Sequence, residues 1–363
     1  MALVANNEAF YFADFEGDGH ILRIFNYRLA SYTDFLAPDA LECRGHMFEV
    51  DSNREAVRLL SWTPEKFFNY QENDFTMNLD LTQVDEVYDK LDGSLISTYM
   101  IDGELKLKSK GSVSSEQAIA AMNWLGHVDQ AMLYHNMASL VEKGFTVVSE
   151  WTSPLNRIVI GYMEPSLRVL CVRSHEDGSY LPYDELVSLF GQQNVVQRVA
   201  VDDPVAFVAS VPDMKEQIEG FVVRMKNGQR FKLKTQLYQS LHFAKDSVNN
   251  PRRLFEAILD EGIDDLRSMF HTDVVAMMMI DQMQVKVDHL FNAMVKEVET
   301  FYTENKSLDR KEFALKGQAE VTPMYFGLVM NLYLDKDPQF RTFMKRKYKE
   351  LGFKDEKIVD IEE

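Results

Sequence analysis

The stretch DEVYDKLDGSLISTYMIDGELKLKSKG, residues 85–111, decides how this chain is read. Lys90 opens a tight turn through Asp92-Gly93, and an alternating, strand-like run, residues 95–100, follows directly. A lysine at such a corner is pinned by the turn and aimed by the strand behind it. In a desolvated or cation-rich pocket its pKa falls and the neutral amine becomes a nucleophile. Beside open water it is only a solvated lysine at a surface turn, the ordinary fate of a short motif. Asp102-Gly103 is a favoured two-residue hairpin turn. Beyond it, period-two alternation puts Lys106, Lys108 and Lys110 on one face and the leucines on the other. The row reads as a solvated sheet face for Lys106 and Lys108. Lys110, at the strand end before Gly111, is the one expected to reach a site.

Upstream, residues 21–27 (ILRIFNY) and 41–50 (LECRGHMFEV) read as strands, with a turn at Pro38-Asp39. Arg44 then sits in a strand beside Gly45, where backbone can come close to a ligand. Lys66 precedes Phe67 and Phe68: either a cation over a hydrophobic floor or a lysine whose aromatic neighbours are core. Downstream, residues 114–143 read as a helix pair with Ser114 as N-cap. Strands are expected over 145–151, 157–162 and 167–173. Glu150 falls among strand-formers, where a carboxylate is costly if buried without a partner. It is therefore exposed at a strand end or held by a cation.

The segment EGFVVRMKNGQRFKLKT, residues 219–235, carries a hairpin signal at Asn227-Gly228. A two-residue loop would pair Met225 with Arg230, Val223 with Lys232 and Phe221 with Lys234. That register gathers Glu219, Arg230, Lys232 and Lys234 on one face. They form either the charged outer side of a two-sided sheet or a site with cations for a triphosphate and an acid for a metal. From about residue 238 helical periodicity takes over, and residues 243–363 read as an all-α domain following a first domain over 1–242. The methionines of the long 274–305 stretch read as core packing.

The chain has 363 residues, enough for two domains, with 46% hydrophobic and 26% charged residues, as in ordinary globular proteins. No apolar run approaches a membrane span, and no basic leader opens the chain, so no membrane partner is expected. Cys43 and Cys171 read as buried free thiols of a reducing cytoplasm, and no Cys/His cluster has zinc spacing. The net charge of −18 points away from nucleic acid as a bulk partner. Nucleic-acid binding would have to rest on local basic patches.

Four pieces occur in order: Lys90-Leu91-Asp92-Gly93, Glu150 after a strand, Glu219-Gly220-Phe221-Val222-Val223, and Lys232-Leu233-Lys234. They resemble motifs I, III, IV and V of the covalent nucleotidyltransferases, the nucleic-acid ligases and messenger-RNA capping enzymes. Within that superfamily the chain is similar to the RNA ligase 1 family of T-even bacteriophages. The likeness runs through SYTDFLAPDALECRG (31–45), EKFFN (65–69), KLDGSLISTY (90–99), FKLK (231–234) and NNPRRLF (249–255).

The resemblance implies an α+β adenylation domain with antiparallel sheets, an all-helical C-terminal domain that recognises RNA, and an ATP-dependent RNA ligase. Lys90 would take AMP from ATP as nucleophile, with Lys110 a further essential lysine. Tyr27, Arg44, Lys66, Glu150, Lys232 and Lys234 would contact ATP, Arg44 and Lys66 at the phosphates. Glu219 would help hold Mg2+, with Mn2+ as a substitute. The pair Asp264-Asp265 matches an acidic metal-associated pair, or is simply charge at a helix N-terminus. The implied partner is RNA, a nicked transfer-RNA (tRNA) anticodon loop, in concert with a polynucleotide kinase/phosphatase in the cytoplasm of an infected host cell. The competing readings are a capping enzyme or DNA ligase, and a non-catalytic RNA end-binding protein on a ligase fold.

Overall fold

The structure, a computed structural model, describes every residue except Asp18, Leu29, 261–262, 271–272 and 355–363. The side chains of Phe243, 245–247, Asp264, Asp265, Ser268 and Met269 are likewise outside the description. The last residues of the expected 243–363 helical domain therefore lie outside the described residues. Two compact units emerge, Met1–Gln239 and Ser240–Glu363.

The first unit is a mixed α+β body. Its strands are β1 (Phe10–Gly17), β2 (His20–Tyr27), β3 (His46–Val50), β4 (Ala56–Ser61), β5 (Phe68–Asn69), β6 (Val84–Lys90), β7 (Ser94–Ile101) and β8 (Glu104–Ser109). They continue with β9 (Phe145–Thr152), β10 (Ser166–Ser174), β11 (Arg198–Val199), β12 (Gly220–Met225) and β13 (Arg230–Lys234). Among the described residues they form sheets of order β1-β2-β3-β4, β10-β9-β7-β8 and β11-β6-β12-β13-β5. The pairings between these strands are antiparallel except β13 with β5.

The opening stretch does not make a simple hairpin. Lys90 ends β6 in one sheet, and Ser94 begins β7 in another. The Leu91-Asp92-Gly93 link therefore carries the chain across a seam between sheets. Beyond it, Ile101 pairs with Glu104 as expected around Asp102-Gly103, where both turn residues have positive φ.

Several expectations need correction. Residues 41–50 are not one strand: a 3-10 turn covers Ala40–Glu42, and Arg44 lies in the turn before β3. The strand β1 was hidden by its polar neighbours, yet it pairs with β2 along its whole length. Residues 157–162 form a loop. Its apolar run looks strand-like, but the amides of Val159 and Ile160 donate to Asp92 Oδ2, at 2.7 and 2.6 Å, instead of to a ladder. Ser115, not Ser114, caps the helix Glu116–Leu125. Lys108, expected in water, is fully buried.

The helices Glu116–Leu125 and Ala131–Glu142 cover one face of the β9-β7-β8 region, burying Ile96, Leu107, Leu125, Met137 and Val147 together. In the five-stranded sheet Phe221, Val223, Phe231 and Leu233 share a separate core with Val87. Burying a residue such as Phe231 is worth about 1.5–3 kcal/mol. It also fixes which way the alternate lysines of β13 point.

The second unit is helical. Asn250 caps Pro251–Leu259 through the Arg253 amide, and a 32-residue helix spans Val274–Asn305. Met279, Met294, Val298 and Phe301 of that helix are buried against Phe313, Leu328 and Val329. Core packing thus accounts for Met279 and Met294, while Met278 is exposed. No described helix is long and apolar enough to cross a membrane.

Candidate active site at the seam between sheets

The middle of the site is built by one register. Gly220 pairs with Lys90 on β6 and with Lys234 on β13. Its φ is +142°, and a Cβ there would lie 2.0 Å from the Leu233 carbonyl, so only glycine fits. Glu219, immediately before it, escapes the strict alternation of β12. Its carboxylate bridges the two lysines: Oε2 accepts from Lys90 Nζ at 2.7 Å and Oε1 lies 3.0 Å from Lys234 Nζ. Glu219 is buried to 4% exposure while Lys90 keeps 21%, so the nucleophile candidate is reachable and its partner is shielded.

The hairpin that carries this row is one residue out of the expected register. Val222, not Val223, faces Lys232, and Gly220, not Phe221, faces Lys234. The lysines still share a face, because Phe231 and Leu233 take the core side.

Burial depresses the Lys232 amine to about 7, and the charges of Arg44, Lys66, Lys90 and Lys234 push the same way. The pattern locates these five cations in one small volume. Lys66 donates to the Tyr27 hydroxyl at 3.0 Å and sits 5.4 Å from the Phe68 ring centroid. Lys232 lies 5.3 Å from the centre of the Phe67 ring, with Arg44 against the same ring. Both readings of Lys66 hold in part: Phe68 is buried core and lies under the Lys66 amine, while Phe67 lies under Arg44 and Lys232. Lys110 lies 5.4 Å from the Tyr27 ring centre. Burial alone would raise the Tyr27 phenol, yet Lys66, Lys110 and Arg44 hold it below its ordinary value.

Glu150 is buried rather than exposed, with the Gly93 amide and the charges of Lys90 and Arg44 only partly offsetting that burial. Burial raises its carboxyl to about 7, Lys90 lowers it, and Glu219 raises it again. Two neighbouring carboxylates among cations suit a hard divalent ion. Among the described residues no group of three or more His, Cys, Asp or Glu forms a ready metal cage. An ion here would use Glu219 together with oxygens of a bound ligand. The side chains of Asp264 and Asp265 lie outside the described residues.

Thus Tyr27, Arg44, Lys66, Lys90, Lys110, Glu150, Glu219, Lys232 and Lys234 come to one region, all but the β13 pair Lys232 and Lys234 from different segments. Sequence reasoning missed two further residues. Asp92, quoted only as part of the turn, is 2% exposed, and its carboxylate also accepts from Tyr238 Oη at 2.7 Å. Tyr238 lies four residues beyond Lys234, with the Lys234 amine 5.1 Å from its ring centre. The signal for Asp92 was its place in the K-x-D-G pattern; Tyr238 carried none.

A family model described as RNA ligase matches residues 42–239, and one described as T4 RNA ligase 1, C-terminal domain, matches 245–351. The chain is 28% identical over 69% of its length to a putative bifunctional polynucleotide kinase/RNA ligase of Autographa californica nuclear polyhedrosis virus, covering 38% of that protein. It is 26% identical over 66% of its length to a putative RNA ligase of Thermovibrio ammonificans, covering 64% of it. It is 27% identical over 69% of its length to RNA ligase 1 of bacteriophage TS2126, covering 63% of it. The chain thus spans less than two thirds of each of these relatives. Among solved structures, an archaeal ATP-dependent RNA ligase aligns with 97% of this chain and 95% of its own at 12% identity and a TM-score of 0.47. A mutant RNA ligase of Naegleria gruberi with ATP and Mn aligns with 44% of this chain and 52% of its own at 15% identity and a TM-score of 0.36.

Proposed function

Since the chain belongs to the RNA ligase family, we propose that it joins RNA ends at the expense of ATP through a covalent lysyl-adenylate on Lys90. The observation that carries this reading is the Glu219 bridge: one buried carboxylate holds the amine of Lys90 at 2.7 Å and that of Lys234 at 3.0 Å, beside Lys232, Lys66 and Arg44.

In the first step Lys90 Nζ attacks the α-phosphorus of ATP. A P–N bond forms, the P–O bond to pyrophosphate breaks, and pyrophosphate leaves with the electron pair. The amine sheds its proton, and Glu219 Oε2 is the oxygen placed to receive it. Lys232 and Lys234 offset charge on the α-phosphate as it develops, while Arg44 and Lys66 take the departing pyrophosphate. A divalent cation, magnesium or manganese, supplies further charge neutralisation when bound. Glu219 would hold it with oxygens of the nucleotide. A 5′-phosphate oxygen of an RNA end then attacks the AMP phosphorus, breaking the P–N bond and releasing the Lys90 amine, and a 3′-hydroxyl attacks that 5′-phosphate, losing its proton and expelling AMP as the phosphodiester closes.

The RNA substrate we propose is a broken, structured one such as a nicked tRNA anticodon loop, with the helical unit contributing recognition. The similarity to a putative bifunctional kinase/ligase supports a coupling to end-healing, and the setting we propose for it is the cytoplasm of an infected host cell.

The deciding experiment incubates the protein with labelled ATP, GTP or NAD and magnesium, then reads intact mass. ATP should add one AMP, and Lys90→Ala should carry no adduct. Labelling of the mutant would remove Lys90 from its role, and labelling by GTP alone would move the reading to a capping enzyme.

A further inference from the structure

Lys108 is buried more deeply than a surface hairpin lysine should be. It sits on β8 at 0% exposure, two residues from Lys106, whose side chain is 43% exposed and ion-paired to Glu104. A buried ammonium is expensive unless it is paired or hydrogen-bonded. Among the described residues no carboxylate lies within ion-pair distance of Lys108. Its amine instead donates to the carbonyl of Gly45 at 2.6 Å and to that of Ser109 at 3.3 Å. Desolvation lowers it to about 7.

The target of that hydrogen bond is specific. Gly45 has φ +96°, and a Cβ on it would lie 2.8 Å from the Lys110 carbonyl, so the turn and the end of β8 are in close contact. The Gly45 amide donates to Phe25 on β2 at 2.8 Å. The residue before it is Arg44, whose carbonyl accepts from Thr63 Oγ1 at 2.8 Å and whose guanidinium donates to the Pro64 carbonyl at 3.3 Å. A short turn thus carries Arg44 into the site, and the Lys108 amine is the one side-chain donor that the described contacts place on the Gly45 carbonyl. The same strand end brings Lys110 to Tyr27.

We propose that Lys108 is a positioning residue: by tying the Gly45 carbonyl to the end of β8, its amine sets the Arg44 guanidinium against the terminal phosphates of the nucleotide. This rests on the reading of Arg44 as a phosphate contact, and the test separates the two.

The full chain and its Lys108→Met, Lys108→Gln, Arg44→Met and Lys108→Met/Arg44→Met variants are titrated calorimetrically with inorganic pyrophosphate and, separately, with AMP. Pyrophosphate should bind Lys108→Met about tenfold more weakly, the scale of one charge-assisted hydrogen bond. AMP, which lacks the terminal phosphates, should bind unchanged. Lys108→Gln, which keeps a shorter donor, should fall between. The double variant should lose no more than Arg44→Met alone, because one residue acts through the other. Equal weakening for both ligands would overturn the proposal and make Lys108 a structural residue. So would additive losses in the double variant, wild-type pyrophosphate affinity in Lys108→Met, or failure of both Lys108 variants to fold. If the wild-type protein binds neither ligand, it is the nucleotidyl-transfer reading that falls.

Discussion

Glu150 and Lys232 are the two site residues whose burial works against them. The Lys232 amine falls from 10.5 to about 7 in the folded protein. Below pH 7 its charge is present at full cost; as pH rises from 7 toward 10.5 the unfolded chain keeps a proton the folded one has lost, so this cost is relieved. The Glu150 carboxyl moves the other way, from 4.5 to about 7. Its cost is absent below pH 4.5 and complete above 7. Without ligand both groups therefore weigh on stability near neutral pH. Lys232→Met should raise the Tm of the ligand-free protein at pH 6–7, by about 2–4 °C for each kcal/mol of desolvation and repulsion removed, with the gain shrinking toward pH 10. It should also abolish the Tm increase produced by ATP. A destabilised variant in differential scanning calorimetry, or a gain that grows with pH, would refute this account. Strand pattern alone left the motif lysines and Glu150 with surface alternatives, and it was the order of the four motif pieces that set them apart as candidates. Lys108 was not legible, because strand parity places it beside Lys106 and says nothing of the turn from another sheet that covers it.

At the scale of elements, the β12–β13 hairpin shows what alternation can and cannot specify. Asn227-Gly228 signalled a two-residue turn. Only Gly228 of the pair has positive φ, however, and the Met225 amide reaches Gln229 while the Gly228 amide returns to Met225. This is a three-residue loop with a glycine bulge, which shifts the partner by one. The lysine face survived the error because it is a property of β13 alone. The place of Glu219 survived for another reason, the unusual backbone at Gly220. The two glycines should consequently behave differently on substitution. Gly228→Ala has open space around it and should cost about 1 kcal/mol, the penalty of a left-handed residue, with adenylation intact. Gly220→Ala forces a Cβ into the Leu233 carbonyl and should lose adduct formation while the protein still folds. Equal adduct yields from the two variants would show that the Glu219 bridge is not needed.

For the molecule as a whole, the change from strand to helical periodicity near residue 238 was plain in the sequence, since the period of the apolar positions reports local geometry directly. The arrangement of strands into three sheets was not, because sheet membership depends on contacts between distant segments. The motif residues with described side chains fall within Met1–Gln239. A chain ending at residue 242 should then keep Lys90 adenylation and lose joining selectively on a nicked anticodon stem-loop, by tenfold or more, relative to an unstructured strand. Equal loss on both substrates would make the helical unit a structural support, and equal retention would make it dispensable for joining. With a net charge of −18, the proposed RNA substrate would have to be held by the local cations against the field of the chain. Raising salt from 50 to 200 mM should weaken RNA joining more steeply than ATP labelling, since more phosphates are engaged. Parallel salt slopes would show that the RNA backbone is not bound electrostatically.

Lys90, Gly220 and Lys234 sit at matched positions on three adjoining strands, with Glu219 spanning them. Ladder hydrogen bonds lock such neighbours together, so the proposed nucleophile, its bridging acid and the neighbouring cation behave as a fixed anvil. Successive reactions on a fixed anvil require the workpiece to be turned. Under the proposed mechanism nucleotide and RNA would each be brought to the same three strand ends in turn, and a ligand shaped to jam that traffic would arrest joining while leaving every reactive group intact.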